Sequence, residues 1–399
     1  MTTDQTKSGS IKEVFFVFLG LGLTSFGGPV AHIGYFREAF VVRHRWIGDR
    51  AYADLVALCQ FLPGPASSQV GMAIGLIRAG YGGMLAAWLA FTLPSALFLV
   101  AFAYGIGALE SVADVGWIAG LKAAAVGVVA HAIFGMARSL TPDKESATIA
   151  VLGMIGAMLI PSAAGQVLVI VFGALMGLAW LQPRVDATAE DEVLTLAVGR
   201  RTAIACFATF FILLMVLPIL AVGGDGLIRL VDSFYRAGAL VFGGGHVVLP
   251  LLQAEVVDTG WVDRDTFLAG YGAAQAVPGP LFTFAAYLGA SMQVSPSGLT
   301  GALVALIAIF LPSALLVVGG LPFWNVLRSA PRAQRAIAGV NAAVVGLLAA
   351  AFYDPVFTQG VSSPVTMAIA AGSFVALAAW AIPAWAVVVA AGLLGFIAL

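Results

Sequence analysis

Long apolar runs separated by short polar loops dominate the chain, and the stretches 84–107, 202–222 and 299–320 contain no charged residue. As helices, each is long enough to cross a hydrocarbon core about 30 Å thick. The pattern predicts conventional spans at 82–107, 117–138, 146–160 and 165–181, an additional crossing at 202–222, and further spans at 297–320, 336–353, 363–380 and 384–399. Two other segments do not read as single crossings. A helix over 14–42 would be about 43 Å long, yet Lys12 at one end and Arg37 to Arg45 at the other place both flanks on the same side. A hairpin of two half-helices meeting at Gly27-Gly28-Pro29 resolves both problems. The segment 51–78 behaves likewise around Pro63-Gly64-Pro65. The predicted class is an all-α polytopic membrane protein with broken, re-entrant hairpins. Such breaks are tolerated at membrane depth only inside protein or beside an aqueous cavity.

The breaks recur. Phe26-Gly27-Gly28-Pro29, Gln60-Phe61-Leu62-Pro63-Gly64-Pro65 and Leu93-Pro94-Ser95-Ala96 return in the same order about 215 residues later. The second copies are Phe242-Gly243-Gly244-Gly245, Gln275-Ala276-Val277-Pro278-Gly279-Pro280 and Leu311-Pro312-Ser313-Ala314. A fourth match sets Ala119-Gly120-Leu121-Lys122 against Ala338-Gly339-Val340-Asn341. This is an internal duplication, which in a membrane chain with broken helices is a transporter signature. The first repeat covers 14–181 and the second 228–399. A polar tail at 1–13, a polar linker at 182–201 and the unpaired crossing with its loop at 202–227 lie outside them.

One unpaired crossing between the repeats inverts the second, and loop charge agrees. Arg37, Arg43, Arg45 and Arg50 follow the first motif, whereas the matching loop holds Glu255, Asp258, Asp263 and Asp265. After the third motif the bias reverses, with Glu110 and Asp114 against Arg328, Arg332 and Arg335. Basic loops face the cytoplasm, which puts the N-terminus and linker there. The polar start lacks a cleavage site and reads as a retained tail.

Composition names the solvent. Hydrophobic residues make up 61% and charged residues 10%, against about 25% charged in soluble domains, so the bilayer is the chain's surrounding partner. A net charge of −1 gives no reason to expect nucleic acid. Cys59 and Cys206 have neither metal nor redox spacing. No hydrolase, phosphate-loop or metal motif is present, so neither enzymatic activity, a metal nor a cofactor is expected.

A half-helix starting at mid-membrane presents free N–H groups and a positive dipole end, which together make an anion site. The candidate substrate-binding set follows from the breaks. Phe26 and Phe242 open them; Gly27, Gly28, Gly64, Gly243, Gly244, Gly245 and Gly279 let backbone approach a ligand; Pro29, Pro65 and Pro280 suit helix starts, and Pro63 and Pro278 belong to the same breaks. Gln60 and Gln275 offer uncharged amides, and Ser67, Ser68 and Thr283 hydroxyls. Lys122, opposite Asn341 in the repeat, is a counter-charge or a lysine reaching for the outer interface. His32 and His246 are either anion or proton sites or neutral histidines bonded to carbonyls. Arg37 and Arg78 mark an entry funnel or only the cytoplasmic ends. Arg236 needs a partner, with Asp232 and Glu255 available, and reads as part of a structural ion pair; Glu255 is also a coupling candidate. His131 reads as structural.

These motifs, taken in order over nearly the whole chain outside the tail and linker, resemble the paired signatures of the long-chain, two-domain members of the chromate ion transporter family. The resemblance implies an inner-membrane carrier that exports chromate, driven by the membrane potential or an ion gradient, and so confers chromate resistance, with sulfate as competitor or exchange partner. The repeats differ at Pro29 against Gly245 and at Lys122 against Asn341, which argues against a strictly symmetric site. A sulfate uptake permease or exchanger uses the same chemistry, since both anions are divalent tetrahedra. An anion channel ranks below both because no charged ring or gate is visible. Either a monomer or a homodimer is compatible with two halves completing one site.

Overall fold

The computed structural model describes residues 9–25, 28–108, 116–160, 162–182, 198–242, 247–324 and 330–399, and every regular element among them is helical. The first helix, α1 (Ile11–Thr24), starts on Ser10, whose hydroxyl accepts from the Glu13 amide at 3.0 Å and satisfies a free donor of the first turn. α2 (Gly28–Arg37) returns beside it and runs into a π-helical turn, Glu38–Arg43. Phe18 of α1 meets Phe36 at 5.6 Å and Phe40 at 4.9 Å between ring centroids, so the hairpin expected over 14–42 forms. Each such aromatic pair adds about 0.5–1.5 kcal/mol beyond its area.

α3 (Asp49–Phe61) enters the second break and α4 (Ala66–Ala108) leaves it. α4 is two helices joined at Ala79 and Gly80, both of which depart from helical geometry. Its limbs, 66–78 and 81–108, fold together so closely that a Cβ on Gly75 would strike the Gly83 carbonyl. α5 (Gly116–Leu140), α6 (Lys144–Leu159) and α7 (Ala163–Trp180) complete the first repeat. The unpaired crossing is α8 (Arg200–Gly223), of which only 11% of the most apolar window is buried; it lies at the periphery, as an element without a counterpart should.

The second repeat has the same sequence of parts. α9 (Gly226–Ala239) precedes a break, then α10 (Val248–Leu252) passes into the π turn Gln253–Val257. α11 (Arg264–Ala276) leads to the second break, followed by the short turn Leu281–Thr283 and α12 (Phe284–Ser291). α12 packs on α13 (Gly298–Gly320) through Gly289 and Gly301, as the limbs of α4 do. α14 (Pro331–Ala351), α15 (Pro364–Ala378) and α16 (Ala384–Ala398) close the chain. Five described helical runs are long and apolar enough to span a membrane: Ala66–Gly105, Gly116–Leu140, Arg200–Gly223, Gly298–Phe323 and Pro331–Gly360. The protein is an all-α polytopic membrane protein. The expected span at 336–353 begins earlier, at Pro331, because proline fits the first helical turn.

The halves interlock. α5 packs against α15 and α16, while its repeat counterpart α14 packs against α6 and α7. Lipid offers no extra hydrophobic drive for this, so close backbone approach must supply it. Accordingly a Cβ on Gly120 would meet the Ala391 carbonyl, and one on Gly339 the Gly173 carbonyl. The second limb of α4 and its counterpart α13 run antiparallel. Tyr104 lies at Gly298, near the start of α13, and Trp88 stacks edge-on against Phe310 at 5.8 Å further along.

Candidate functional site

The two Pro-Gly-Pro breaks reach across to the opposite half by matching contacts. Gly64 of the first repeat donates its amide to the Val241 carbonyl at 2.7 Å, and Gly279 of the second donates to the Ser25 carbonyl at 3.0 Å. Ser25 and Val241 stand at equivalent places, each just before its repeat's first motif. A Cβ on Gly64 would lie 2.5 Å from Ser313 Oγ, and one on Gly279 would lie 2.8 Å from Ser95 Oγ. Both glycines have positive φ, +120° and +102°, where side chains are not tolerated. The third motif therefore belongs to this site: Ser95 and Ser313 are its contact residues. Sequence reasoning recognised that motif as a repeat marker and missed the role of its serine.

His32 ties the first break to the second within the first repeat. Its ring is buried, with Nε2 3.1 Å from the Ser25 carbonyl and Nδ1 3.3 Å from Ser67 Oγ. A carbonyl only accepts, so Nε2 carries the proton, while Nδ1 faces a hydroxyl able to donate or accept. Both ring nitrogens are therefore bonded within the protein. Gln69, also missed in the sequence, donates to the Pro63 carbonyl at 2.7 Å and holds the break in shape. Around this frame sit buried polar atoms that bond to no described residue: the hydroxyls of Ser25, Ser68, Thr92 and Ser313, Gln69 Oε1 and Gln275 Nε2. Buried polar groups are normally paired, so these atoms are candidates to meet a polar ligand. Pro65 and Pro280 each stand one residue before the helical segment that follows. Thr283 spends its hydroxyl on the Pro280 carbonyl at 2.8 Å. Gln60 is exposed. Gly28 faces open space. Phe26, Gly27, Gly243, Gly244, Gly245 and His246 lie outside the described residues.

The four cations named as binding, entry or ion-pair candidates, Arg37, Arg78, Lys122 and Arg236, each have a carboxylate partner. Arg37 bonds Asp49 at 2.7 Å, and that bond holds the exposed Asp49 carboxyl below the usual carboxylate range. Arg78 pairs with Glu13 at 3.3 Å and lies over the Trp46 ring. Arg236 bonds Asp232 at 2.7 Å and Glu255 at 3.0 Å. Lys122 bonds Asp265 at 2.6 Å, at the start of α11, and among the described residues no bond joins it to a break residue. Asn341, its counterpart, lines a cavity of about 560 Å³ with Phe61, Trp180 and Gln334, and its Oδ1 bonds to no described residue.

The Lys122–Asp265 contact sets up a test. If the pair positions α11, Lys122→Gln and Asp265→Asn lower transport alike. With Asp265 largely exposed, such a tie is worth about 1 kcal/mol or less, which limits the loss to about fivefold. A far larger loss in Lys122→Gln alone identifies a direct counter-charge. Initial rates of uptake in vesicles distinguish the two.

The sequence matches the chromate transporter family over residues 12–178 and 228–396. The chromate transport protein of Pseudomonas aeruginosa is 29% identical over 399 residues, covering 97% of this chain and 92% of its own length. The probable chromate transport protein of Synechococcus elongatus is 29% identical over 350 residues, covering 86% of this chain and 84% of its own. The chromate transport protein of Cupriavidus metallidurans is 27% identical over 366 residues, with 87% and 85% covered. No solved structure matches the chain. The two matched blocks fall on the two repeats, and the chain belongs to the chromate transporter family.

Proposed function

We propose that the chain is a secondary transporter that exports chromate across the cytoplasmic membrane by alternating access, driven by the membrane potential or an ion gradient. The observation that carries this reading is the reciprocal contact of the Pro-Gly-Pro breaks, together with buried hydroxyl and amide groups of the break and third-motif segments that bond to no described residue. Two half-helices start at these breaks, each bringing free N–H groups and a dipole end of about +0.5 charge. Ser68, Ser313 and Gln275 add neutral O–H and N–H donors, and the glycines of both first motifs complete the proposed site. Neutral donors hold a dianion without trapping it, which suits a carrier that must release its cargo. Arg37 and Arg78, each paired with a carboxylate, contribute entry guidance at most.

The repeats are read as inverted, with the N-terminus and linker cytoplasmic. Support comes from the opposed loop charges and from the antiparallel course of α4's second limb and α13. Because each break is bonded to the opposite half, rocking of the halves changes both contacts together, which is the motion alternating access needs. One chain supplies both halves of the site, so a monomer suffices.

The test is uptake of labelled chromate into inverted membrane vesicles energised by respiration. Accumulation that an uncoupler abolishes, and that excess sulfate competes down, is the expected result. Sulfate entry into right-side-out vesicles with no chromate accumulation in inverted ones would reverse the direction assigned.

A further inference from the structure

We propose that Asp232, Arg236 and Glu255 form a proton-binding site that couples proton movement to transport; the inference rests on the transporter reading above. Arg236 Nη2 donates to Asp232 Oδ2 at 2.7 Å and to Glu255 Oε2 at 3.0 Å. Both carboxyl side chains are almost fully buried, at 6% and 7% exposure, and the guanidinium is 23% exposed. Two carboxylates on one guanidinium leave one uncompensated negative charge. Inside a membrane protein an unpaired buried charge is costly, and binding one proton brings the triad to neutrality.

Among the described residues, the helices packed on α9 supply no other compensating charge to the triad. α13 and α10, both packed on α9, contain no titratable residue, and α8 has Arg200 and Arg201 only in its first turn, with Cys206 beyond them. On α9 itself Asp225 and Arg229 are exposed, and the Tyr235 hydroxyl donates to the Phe210 carbonyl at 3.0 Å. Ser233 hydrogen-bonds to Glu255. Asp258, past the π turn, faces Arg264 and Asp354. His246 lies outside the described residues.

The triad exists in one repeat only. Aligning Phe26 with Phe242 puts Phe16, Gly20 and Ala39 at the places of Asp232, Arg236 and Glu255. The first hairpin is closed by phenylalanines, which do not titrate; the second is closed by Arg236 bridging α9 to Glu255 in the π turn. Val241, whose carbonyl holds the Gly64 amide, lies in the break between those two arms. A proton on Glu255 ends its ion pair with Arg236 and leaves the guanidinium bonded to a neutral carboxyl, which holds it less strongly than a carboxylate. The arms then loosen, and the cross-half bond at Val241 is free to change. Proton uptake on one carboxylate oxygen is the whole chemical step, and the triad passes from net −1 to neutral.

The purified protein in liposomes, with potential clamped by potassium and valinomycin, separates exchange from coupled transport. Wild type is expected to exchange internal for external labelled chromate, and to accumulate it about tenfold per coupled proton for each unit of pH gradient. Glu255→Gln and Asp232→Asn are expected to retain exchange and lose gradient-driven accumulation. Accumulation unchanged in both variants overturns the proposal, as does a wild type that exchanges yet ignores the gradient. Loss of exchange together with accumulation also overturns it, in favour of a purely structural triad. Absence of chromate exchange in wild type counts instead against the substrate. The proton site is then read by infrared spectroscopy: a protonated-carboxyl band that vanishes in Glu255→Gln supports it, and no such band refutes it.

Discussion

Alanine at Gly64 or at Gly279 is expected to reduce chromate transport to background while leaving the protein folded in the membrane. Each glycine has positive φ, +120° and +102°, a region that costs a side-chain-bearing residue about 1–3 kcal/mol. The added Cβ also meets a hydroxyl in the opposite half, Ser313 Oγ at 2.5 Å or Ser95 Oγ at 2.8 Å, far inside van der Waals contact. Relief requires the break to move, and the cross-half bonds Gly64–Val241 and Gly279–Ser25 stretch with it. A bias of about 1–3 kcal/mol in the balance between the two access states corresponds to about 5- to 150-fold in rate, and the steric clash adds to it. The double variant Gly64→Ala with Ser313→Ala removes the closer of two clashes, leaving Gln69 Nε2 at 2.8 Å and the backbone strain, so only partial recovery is expected. Gly372→Ala serves as control, since its Cβ would meet nothing within 4 Å and its φ is ordinary. Vesicle uptake at equal membrane abundance measures all four. Full activity in Gly64→Ala would remove the breaks from the mechanism.

Arg236→Met is expected to destabilise the protein more than any single change on a charged loop. It leaves Asp232 and Glu255 buried side by side with no cation. Removing one partner of a buried ion pair costs about 3–5 kcal/mol, because the remaining charge has lost both water and its counter-ion. The lower end applies here, since the guanidinium keeps some exposure. Thermal unfolding in detergent, followed by loss of the monodisperse peak, should show a lower midpoint. Adding Asp232→Asn and Glu255→Gln to Arg236→Met removes the stranded charges and is expected to restore most of the loss. By contrast, Arg37→Gln breaks only an exposed pair with Asp49, and stability should barely move.

The hairpin over 14–42 was legible in sequence because length and charge conflict there: too many apolar residues for one crossing, and basic residues at both ends. The breaks at Pro63-Gly64-Pro65 and Pro278-Gly279-Pro280 were legible because proline and glycine act locally on backbone geometry. Lys122 was legible as an unusual charge, but its partner Asp265 was not, since 143 positions separate them. His32 stood open between a proton site and a satisfied histidine, and only the positions of Ser25 and Ser67 favour the latter. Ser95 and Ser313 were visible as repeated letters without any indication that they face the glycines of the opposite half.

Sequence by itself determined that the chain lives in a bilayer, that it is helical, that it is duplicated, and where its helices break. Each of these follows from hydrophobicity, helix length or backbone restriction, which depend on neighbours along the chain. Tertiary structure alone decided that each break is held by the other repeat, that α5 and α14 exchange partners between halves, and that Asp232, Arg236 and Glu255 close one hairpin. Those facts depend on which surfaces meet after the helices pack. In lipid that choice is made by close fit of small residues and by the pairing of buried polar groups, neither of which leaves a periodic trace in the sequence.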